Sequence, residues 1–263
     1  MSNDNEQHFF YLSKLINLPI VDICGRKAFG KVSDFVVDAM MEPYPVVNGI
    51  VFVEKNNKRH LISWQKTISI NGELLIGNIS NDDIQEIQLK EGEILLKETI
   101  LDKQIVDTDG AKVRRVNDLQ FLRISNNFYL INVDVGFRGL MRRVGLEKLI
   151  LSSLHAIFDY TLPDQFISWK FVQPLSSPDF MRLKVTQEKL SRIHPADLAD
   201  IIEDLDIHQR NAVFQTLDVE TAAETLEETD PKIQVSLIED MQTEKASDII
   251  EEMSLSDATD LIQ

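Results

Sequence analysis

The last third of the chain repeats every twelve residues, and this periodicity constrains the fold more than any other feature of the sequence. Residues suited to starting helices recur at one position of the repeat: His194, Asp206, Asp218, Asp230, Gln242 and Ser254. Asp and Ser side chains accept hydrogen bonds from the first free amides of a helix, worth about 1 kcal/mol for each cap. Apolar pairs such as Ile201-Ile202 and Ile249-Ile250 follow at a fixed distance. The pattern predicts one short amphipathic helix in each repeat.

Two successive repeats together form a longer period of 24 residues. The stretch that begins at Ala196 is similar to those beginning at Glu220 and Glu244, so odd and even helices differ. Short helices cannot bury an apolar face alone, which predicts a superhelix of stacked helix pairs over residues 186–263. Gln263 lies three residues before the next expected cap, so we expect either a truncated chain or a natural chain that continues.

Charge is distributed unevenly along the chain. Residues 191–263 hold 19 acidic and 4 basic side chains, whereas acids and bases nearly balance before them. The tail therefore carries almost all of the formal net charge of -16. A surface of this sign repels nucleic acid and anionic lipid and concentrates cations. An RNA- or ribosome-associated function is disfavoured, because phosphate binding needs a basic surface.

The first two-thirds of the chain contain two related copies of one segment. Ile20-Val21-Asp22 recurs as Ile105-Val106-Asp107, and both copies later reach an Ile-Ser-Trp sequence. Runs rich in β-forming residues, separated by Gly or Asn-Asn turns, lie between these markers. We therefore predict an α+β chain in which two small β-barrels, over residues 9–98 and 99–182, precede the helical region.

An insertion over residues 136–163 lengthens the second copy. Its start places Arg138, Arg142 and Arg143 among apolar residues, which predicts a basic amphipathic helix. Such a helix either packs inside the protein with its arginines solvated or paired, or docks on a membrane surface or a partner. We favour internal packing.

Several features indicate a non-catalytic cytoplasmic protein. No stretch reaches the roughly 18 apolar residues that cross a bilayer, and the N-terminus lacks the positively charged start of a secretory signal. The single cysteine, Cys24, permits no internal disulfide, as expected in a reducing compartment. The five histidines have no metal-ligand spacing, and neither a phosphate-binding glycine loop nor a Ser-His-Asp arrangement is present.

Two parts of the chain resemble known families. Ile20-Val21-Asp22 with the later Gly30-Lys31-Val32-Ser33-Asp34-Phe35 resembles the PRC-barrel module, although Arg114 replaces the equivalent glycine in the second copy. The tail, with His194-Pro195-Ala196-Asp197-Leu198-Ala199 and Ile249-Ile250-Glu251-Glu252-Met253, resembles the intracellular N domain of MgtE-type magnesium transporters. Together they imply a duplicated PRC-barrel fused to an MgtE N domain, a combination usually followed by paired CBS domains.

The second resemblance implies a magnesium site between acidic positions of the N domain and the CBS domains. The candidate ligands in this chain are Glu224, Asp257 and Asp260, for magnesium bound with low affinity. Ser256 stands where the family often has an acid, which removes one ligand. Magnesium holds about six oxygens at about 2.1 Å and keeps several waters, so one or two carboxylates from each of two domains suffice.

These resemblances imply a regulatory module that senses or binds magnesium, in the cytoplasm or at the inner face of the membrane. The expected partners are CBS domains or other regions of a longer chain, or a transporter, and a homodimer also fits the sequence. Neither nucleic acid nor a membrane span of its own is expected. The alternative is a protein-interaction adaptor, whose helical groove binds a partner and whose acids serve solubility only.

Overall fold

The computed structural model describes residues 8–23, 27–70, 75–147, 163–175 and 184–262. The described strands are β1 (His8–Tyr11), β2 (Pro19–Asp22), β3 (Ala28–Asp38), β4 (Val47–Val53), β5 (Arg59–Ser63), β6 (Thr67–Ile70), β7 (Leu75–Gly77), β8 (Glu93–Leu95), β9 (Gln104–Asp107), β10 (Lys112–Arg115), β11 (Asp118–Ile124), β12 (Asn127–Asp134), β13 (Phe166–Ser168) and β14 (Val172–Pro174). The described helices are α1 (Leu12–Leu15), α2 (Leu96–Thr99), α3 (Phe137–Arg143), α4 (Lys184–Leu190), α5 (Pro195–Asp204), α6 (Ile207–Thr216), α7 (Val219–Glu228), α8 (Pro231–Glu239), α9 (Thr243–Glu252) and α10 (Leu255–Ile262). Short 3-10 turns lie at Trp64–Lys66, Asn81–Asp83 and Trp169–Phe171.

The chain divides into two compact units. The strand unit comprises residues 1–102 and 116–170, and the helical unit comprises residues 103–115 and 171–263. Strands β9, β10 and β14, which fall within the predicted domain 99–182, therefore group with the helices. The domain bounds 9–98, 99–182 and 186–263 stay predictions.

The strand unit contains two sheets. One is antiparallel, in the order β1-β11-β12-β13, and the other runs β5-β4-β3-β2-β7-β6, with β8 added to β3 and with β2 and β7 parallel. Neither sheet closes on itself among the described strands. The α+β class is confirmed, whereas the two barrels are not confirmed.

Each copy within the strand unit receives a strand and a helix from the start of the other copy. β1 precedes the first copy but pairs with β11 of the second, where Tyr11 lies opposite Gln120. β8 precedes the second copy but pairs with β3 of the first, where Leu95 lies opposite Val36. Helices α1 and α2 follow these two strands directly and contact β11 and β3. The two copies have thus exchanged equivalent segments.

Aromatic side chains from both copies meet in the core of the strand unit. The ring centroid of Phe128 lies 4.6 Å from that of Trp64 and 4.7 Å from that of Phe121. Phe35, from the first copy, lies 6.3 Å from Phe128, and all four side chains are buried. Nε1 of Trp64 donates to the carbonyl of Asn126 at 2.8 Å. Since a buried indole N–H needs an acceptor, this bond makes Trp64 a satisfied core residue.

The described start of the insertion is helix α3, which packs inside the protein. Arg142 is 4% exposed, and its Nη1 lies 3.1 Å from Oδ2 of Asp134. Arg138 pairs with Glu147 at 3.1 Å, and Arg143 pairs with Asp102 at 2.7 Å. The arginines therefore satisfy charges within the protein, which confirms internal packing for this part. Residues 148–162 of the insertion lie outside the described residues.

The helices of the helical unit begin where the twelve-residue pattern predicts. Helices α5 to α10 begin directly after the six predicted caps. Oδ1 of Asp206 accepts from the amides of His208 and Gln209, both at 3.0 Å, and Oδ1 of Asp230 accepts from Lys232 at 2.9 Å. Gln242 makes no such bond. A short polar acceptor at the cap position accounts for most of these starts.

Alternate helices of the helical unit contact one another. α7 contacts both α5 and α9, whereas α8 contacts both α6 and α10. The apolar pairs fill the core between them, so that Ile202, Phe214, Leu226 and Ile249 are fully buried. A sheet in the order β10-β9-β14 adds Val106 to the same core. No helix among the described ranges is both long enough and apolar enough to span a bilayer.

Candidate metal-binding surface of the helical unit

The three predicted ligands lie on two helices, α7 and α10. These belong to the two different sets of alternating helices, since α7 contacts α5 and α9 whereas α10 contacts α8. Glu224 projects from α7 into solvent, next to the buried Ala222 and Ala223. Asp257 and Asp260 lie in α10, and Asp260 is also exposed. Glu224 and Asp260 are therefore open to an ion or a partner.

The carboxylate of Asp257 already takes part in a hydrogen bond at the start of its own helix. Its carboxylate accepts from the hydroxyl of Ser254, and its amide donates to Oγ of Ser254 at 3.3 Å. This reciprocal arrangement is a helix-capping contact. Asp257 would have to leave Ser254, at least in part, to bind a cation with both oxygens.

Glu224 is the middle member of a column of exposed acids. Asp200 in α5 and Asp248 in α9 occupy the equivalent places one 24-residue period before and after it. All three side chains are exposed, and α7 contacts both neighbouring helices. Asp200 and Asp248 were not among the predicted ligands. The 24-residue period could have found them, because it places every second helix in the same orientation.

Other acids of the helical unit link α5 to the start of α8 and α7 to the start of α10. Oε1 of Glu203 accepts from the amide of Asp230 at 2.8 Å, and Oε1 of Glu227 accepts from the amide of Ser254 at 2.5 Å. These two bonds are again one 24-residue period apart, and each satisfies an amide next to a helix start. Glu203 and Glu227 thus have an internal structural role.

Asp218 combines a cap with a bond between repeats. It caps α7 by accepting from the amide of Thr221 at 3.0 Å, and its other oxygen accepts from Oγ of Ser191 at 3.0 Å. Burial works against its ionisation, but these hydrogen bonds outweigh burial and lower the pKa of the Asp218 carboxyl. It therefore stays charged at neutral pH.

Two of the four basic residues in this acidic region bind backbone carbonyls. Nε of Arg210 donates to the carbonyl of Ile202 at 2.9 Å, and Nζ of Lys245 donates to the carbonyls of Gln215 and Leu217, both at 2.8 Å. Burial lowers the pKa of Lys245, although the charge of Asp218 opposes the shift. Both cations occupy the negative ends of helices, where positive charge is favourable.

A comparison with protein families identifies a match in the helices that carry the three predicted ligands. The matching family model describes the MgtE intracellular N domain. It matches residues 193–263, which include α5 to α10 and all three predicted ligands. No curated protein matches the chain. The resemblance of the first two-thirds to the PRC-barrel stays a prediction.

The helices that match the MgtE N domain do not assemble a complete ion site by themselves. Within the described ranges, no three His, Cys, Asp or Glu side chains lie close enough together to hold a metal ion. Magnesium needs about six oxygens, although waters supply several of them. Glu224 and Asp260 fit the oxygen chemistry of the ion, but the remaining protein ligands would have to come from elsewhere. The predicted ligand set stays a prediction.

Proposed function

We propose that this chain is a non-catalytic cytoplasmic regulatory module that responds to magnesium through the helical unit. The observation that carries the proposal is the match of residues 193–263 to the MgtE intracellular N domain, in a region where Glu224 and Asp260 face solvent. Regulation then means that the ion changes which surface the helical unit contacts.

The ion acts as a bridge between two acidic surfaces. Like charges repel across an interface, and a hard divalent cation shared by carboxylates from both sides replaces that repulsion with attraction. Glu224 and Asp260 supply carboxylates from this chain. CBS domains, another region of a longer chain or a transporter supply the others. Affinity is low when only one side is present, because half of the ligands are then missing.

The strand unit serves as a docking or scaffolding platform. Its first copy resembles the PRC-barrel module in the motif around Gly30 and Asp34, whereas Arg114 replaces the glycine in the second copy. The exchanged segments and the shared aromatic core join the two copies of this platform.

Thermal unfolding with and without magnesium tests the proposal. We expect millimolar MgCl2 to raise the melting temperature more than NaCl at equal ionic strength, because a ligand that binds the folded state stabilises it. The double variant E224Q/D260N removes two charges from the proposed surface and should abolish the difference between the two salts.

A matched control separates specific binding from charge screening. E220Q/E252Q also removes two exposed acids from the helical unit and should retain the magnesium effect of the unmodified chain. Equal stabilisation by both salts, or equal losses in the two double variants, would contradict the proposal.

A protein-interaction adaptor is the second candidate function. It is favoured by the acids that already accept internal hydrogen bonds, since Glu203, Glu227 and Asp257 are structural in this arrangement. A partner that is retained equally well in chelator and in magnesium would favour the adaptor over the magnesium-responsive module.

A further inference from the structure

Two equivalent acids hold the two exchanged segments of the strand unit. Oδ1 of Asp34, at the centre of β3, accepts from the amide of Lys97 at 2.7 Å, and its Oδ2 accepts from Glu98 at 3.2 Å. Asp118, at the same place in the second copy, accepts from the amide of Ser13 at 3.0 Å and from its hydroxyl at 2.6 Å. Each acid thus binds the start of the helix contributed by the other copy.

Both acids are buried. Asp34 is 1% exposed and Asp118 is 0% exposed. A buried carboxylate is costly unless a cation or several hydrogen bonds compensate its charge. The difference between the two sites therefore lies in what surrounds each charge.

Among the described residues, Asp118 has a cation as a partner and Asp34 has none. Nη1 of Arg142 lies 3.5 Å from Oδ2 of Asp118, and the guanidinium also lies 3.6 Å from the ring centroid of Tyr11 in the same exchanged segment. In the described ranges, Asp34 forms no ion pair with Lys, Arg or His. The insertion that supplies Arg142 occurs only in the second copy, which explains the asymmetry.

The charged groups around Asp34 do not compensate it. Glu98 of α2 repels it, and this glutamate is already paired with Arg59 of β5 at 2.6 Å. The adjoining β4 has no titratable side chain. On β8, the carboxylate of Glu93 accepts from the amide of Lys90 and from the side chain of Asn48.

We propose that Asp34 makes the segment of residues 93–101 a pH-responsive latch on β3, while Arg142 makes the equivalent segment at Asp118 less sensitive to pH. The latch holds more firmly when Asp34 is protonated. When Asp34 is ionised, opening of the segment returns to water a charge that has no cation partner among the described residues, so opening becomes more frequent. The segment leads to Asp102, the last residue before the chain enters the helical unit.

The direction of the pH effect follows from burial. Burial raises the pKa of Asp34 to about 6, against the opposing effect of the Lys97, Phe35 and Glu98 amides. An opened segment exposes the carboxyl, whose pKa then falls towards its ordinary value near 4. Closing therefore takes up a proton between these two values, and the closed form is favoured as pH falls through about 6.

Hydrogen exchange on the full chain tests the latch. We expect the amides of Lys97, Glu98, Ile100 and Leu101 to exchange faster at pH 8 than at pH 5, after correction for the intrinsic rate. The expected change is about 10-fold, because the opened carboxyl is already ionised at pH 5 and only the unit between pH 5 and the closed-state pKa of about 6 contributes. The amides of Ser13 and Ile16 in the equivalent segment should change by much less.

Two variants sharpen this comparison. D34N removes the titrating group and should abolish the pH dependence of the 97–101 amides. D38N removes a more exposed acid from the same strand, where Oδ1 of Asp38 accepts from the amide of Met40, and should leave the pH dependence unchanged. Equal pH dependence of the two segments in the unmodified chain would overturn the proposal even if D34N failed to fold.

Discussion

At the scale of single residues, Arg142 is the cation that pairs with the buried carboxylates of the second copy. It faces two carboxylates that are fully buried, Asp118 at 3.5 Å and Asp134 at 3.1 Å, and a third, Asp164, at 3.2 Å. Burial raises the pKa of Asp118 and of Asp134, while hydrogen bonds and Arg142 oppose the shift at both. The guanidinium and the hydrogen bonds therefore act together against protonation of both carboxylates.

Replacing this arginine gives a prediction with a defined pH dependence. We expect R142M to lower the free energy of unfolding at pH 8 by about 3–5 kcal/mol, because it leaves buried charges without a partner. The loss should shrink at pH 5, since Asp118 and Asp134 can then take up protons. Denaturant unfolding at the two pH values measures both effects.

Lys66 provides the matched control for Arg142. Its ion pair with Asp83 is partly exposed, with 41% of the lysine side chain accessible. Exposed pairs of this kind contribute about 0–1 kcal/mol, so K66M should have a small effect. An R142M loss no larger than that of K66M would contradict the role given to Arg142.

The helices show, at the scale of elements, what sequence can and cannot predict. Their starts could be predicted because caps such as Asp206 and Asp230 act on amides two or three residues away. The exchange of β1 and β8 could not, because the duplicated sequences are compatible with pairing to either copy. The burial of Arg142 was also hidden, since its partners Asp118 and Asp164 are distant in sequence.

The candidate site also has some features that the sequence could predict and others that it could not. The family pattern could single out Glu224 and Asp260, whose exposure then follows from the outward face of a short amphipathic helix. The bond between Asp257 and Ser254 depends on side-chain geometry that spacing alone does not settle. Glu203 and Glu227, which bond to the starts of α8 and α10, cannot be distinguished by sequence from solvated acids.

Helix caps provide a prediction at the element scale. D206A removes an acceptor that bonds two amides and should lower the free energy of unfolding by about 1 kcal/mol. Q242A changes the equivalent cap position, whose side chain makes no such bond, and should stay within about 0.5 kcal/mol of the unmodified chain. Denaturant unfolding of the two variants distinguishes them, and equal losses would contradict the capping account.

The whole molecule joins an acidic C-terminal region, residues 191–263, to a preceding part whose charges nearly balance. Residues 191–263 hold 19 acids and 4 bases, and two of those bases bind backbone carbonyls. The repulsion that remains is lowered by any cation, and more by a divalent one, but only a structured site confines the effect of magnesium to particular carboxylates. The response to magnesium is therefore the property that separates a regulatory module from an acidic scaffold.

Mapping the backbone amides of the full chain by NMR, during titrations with MgCl2 and with NaCl at equal ionic strength, tests this property most directly. The account predicts shifts that saturate at millimolar magnesium, centre on Glu224 and Asp260, and are absent with sodium. Shifts spread evenly over all the acids of the helical unit, or equal shifts with the two salts, would contradict it.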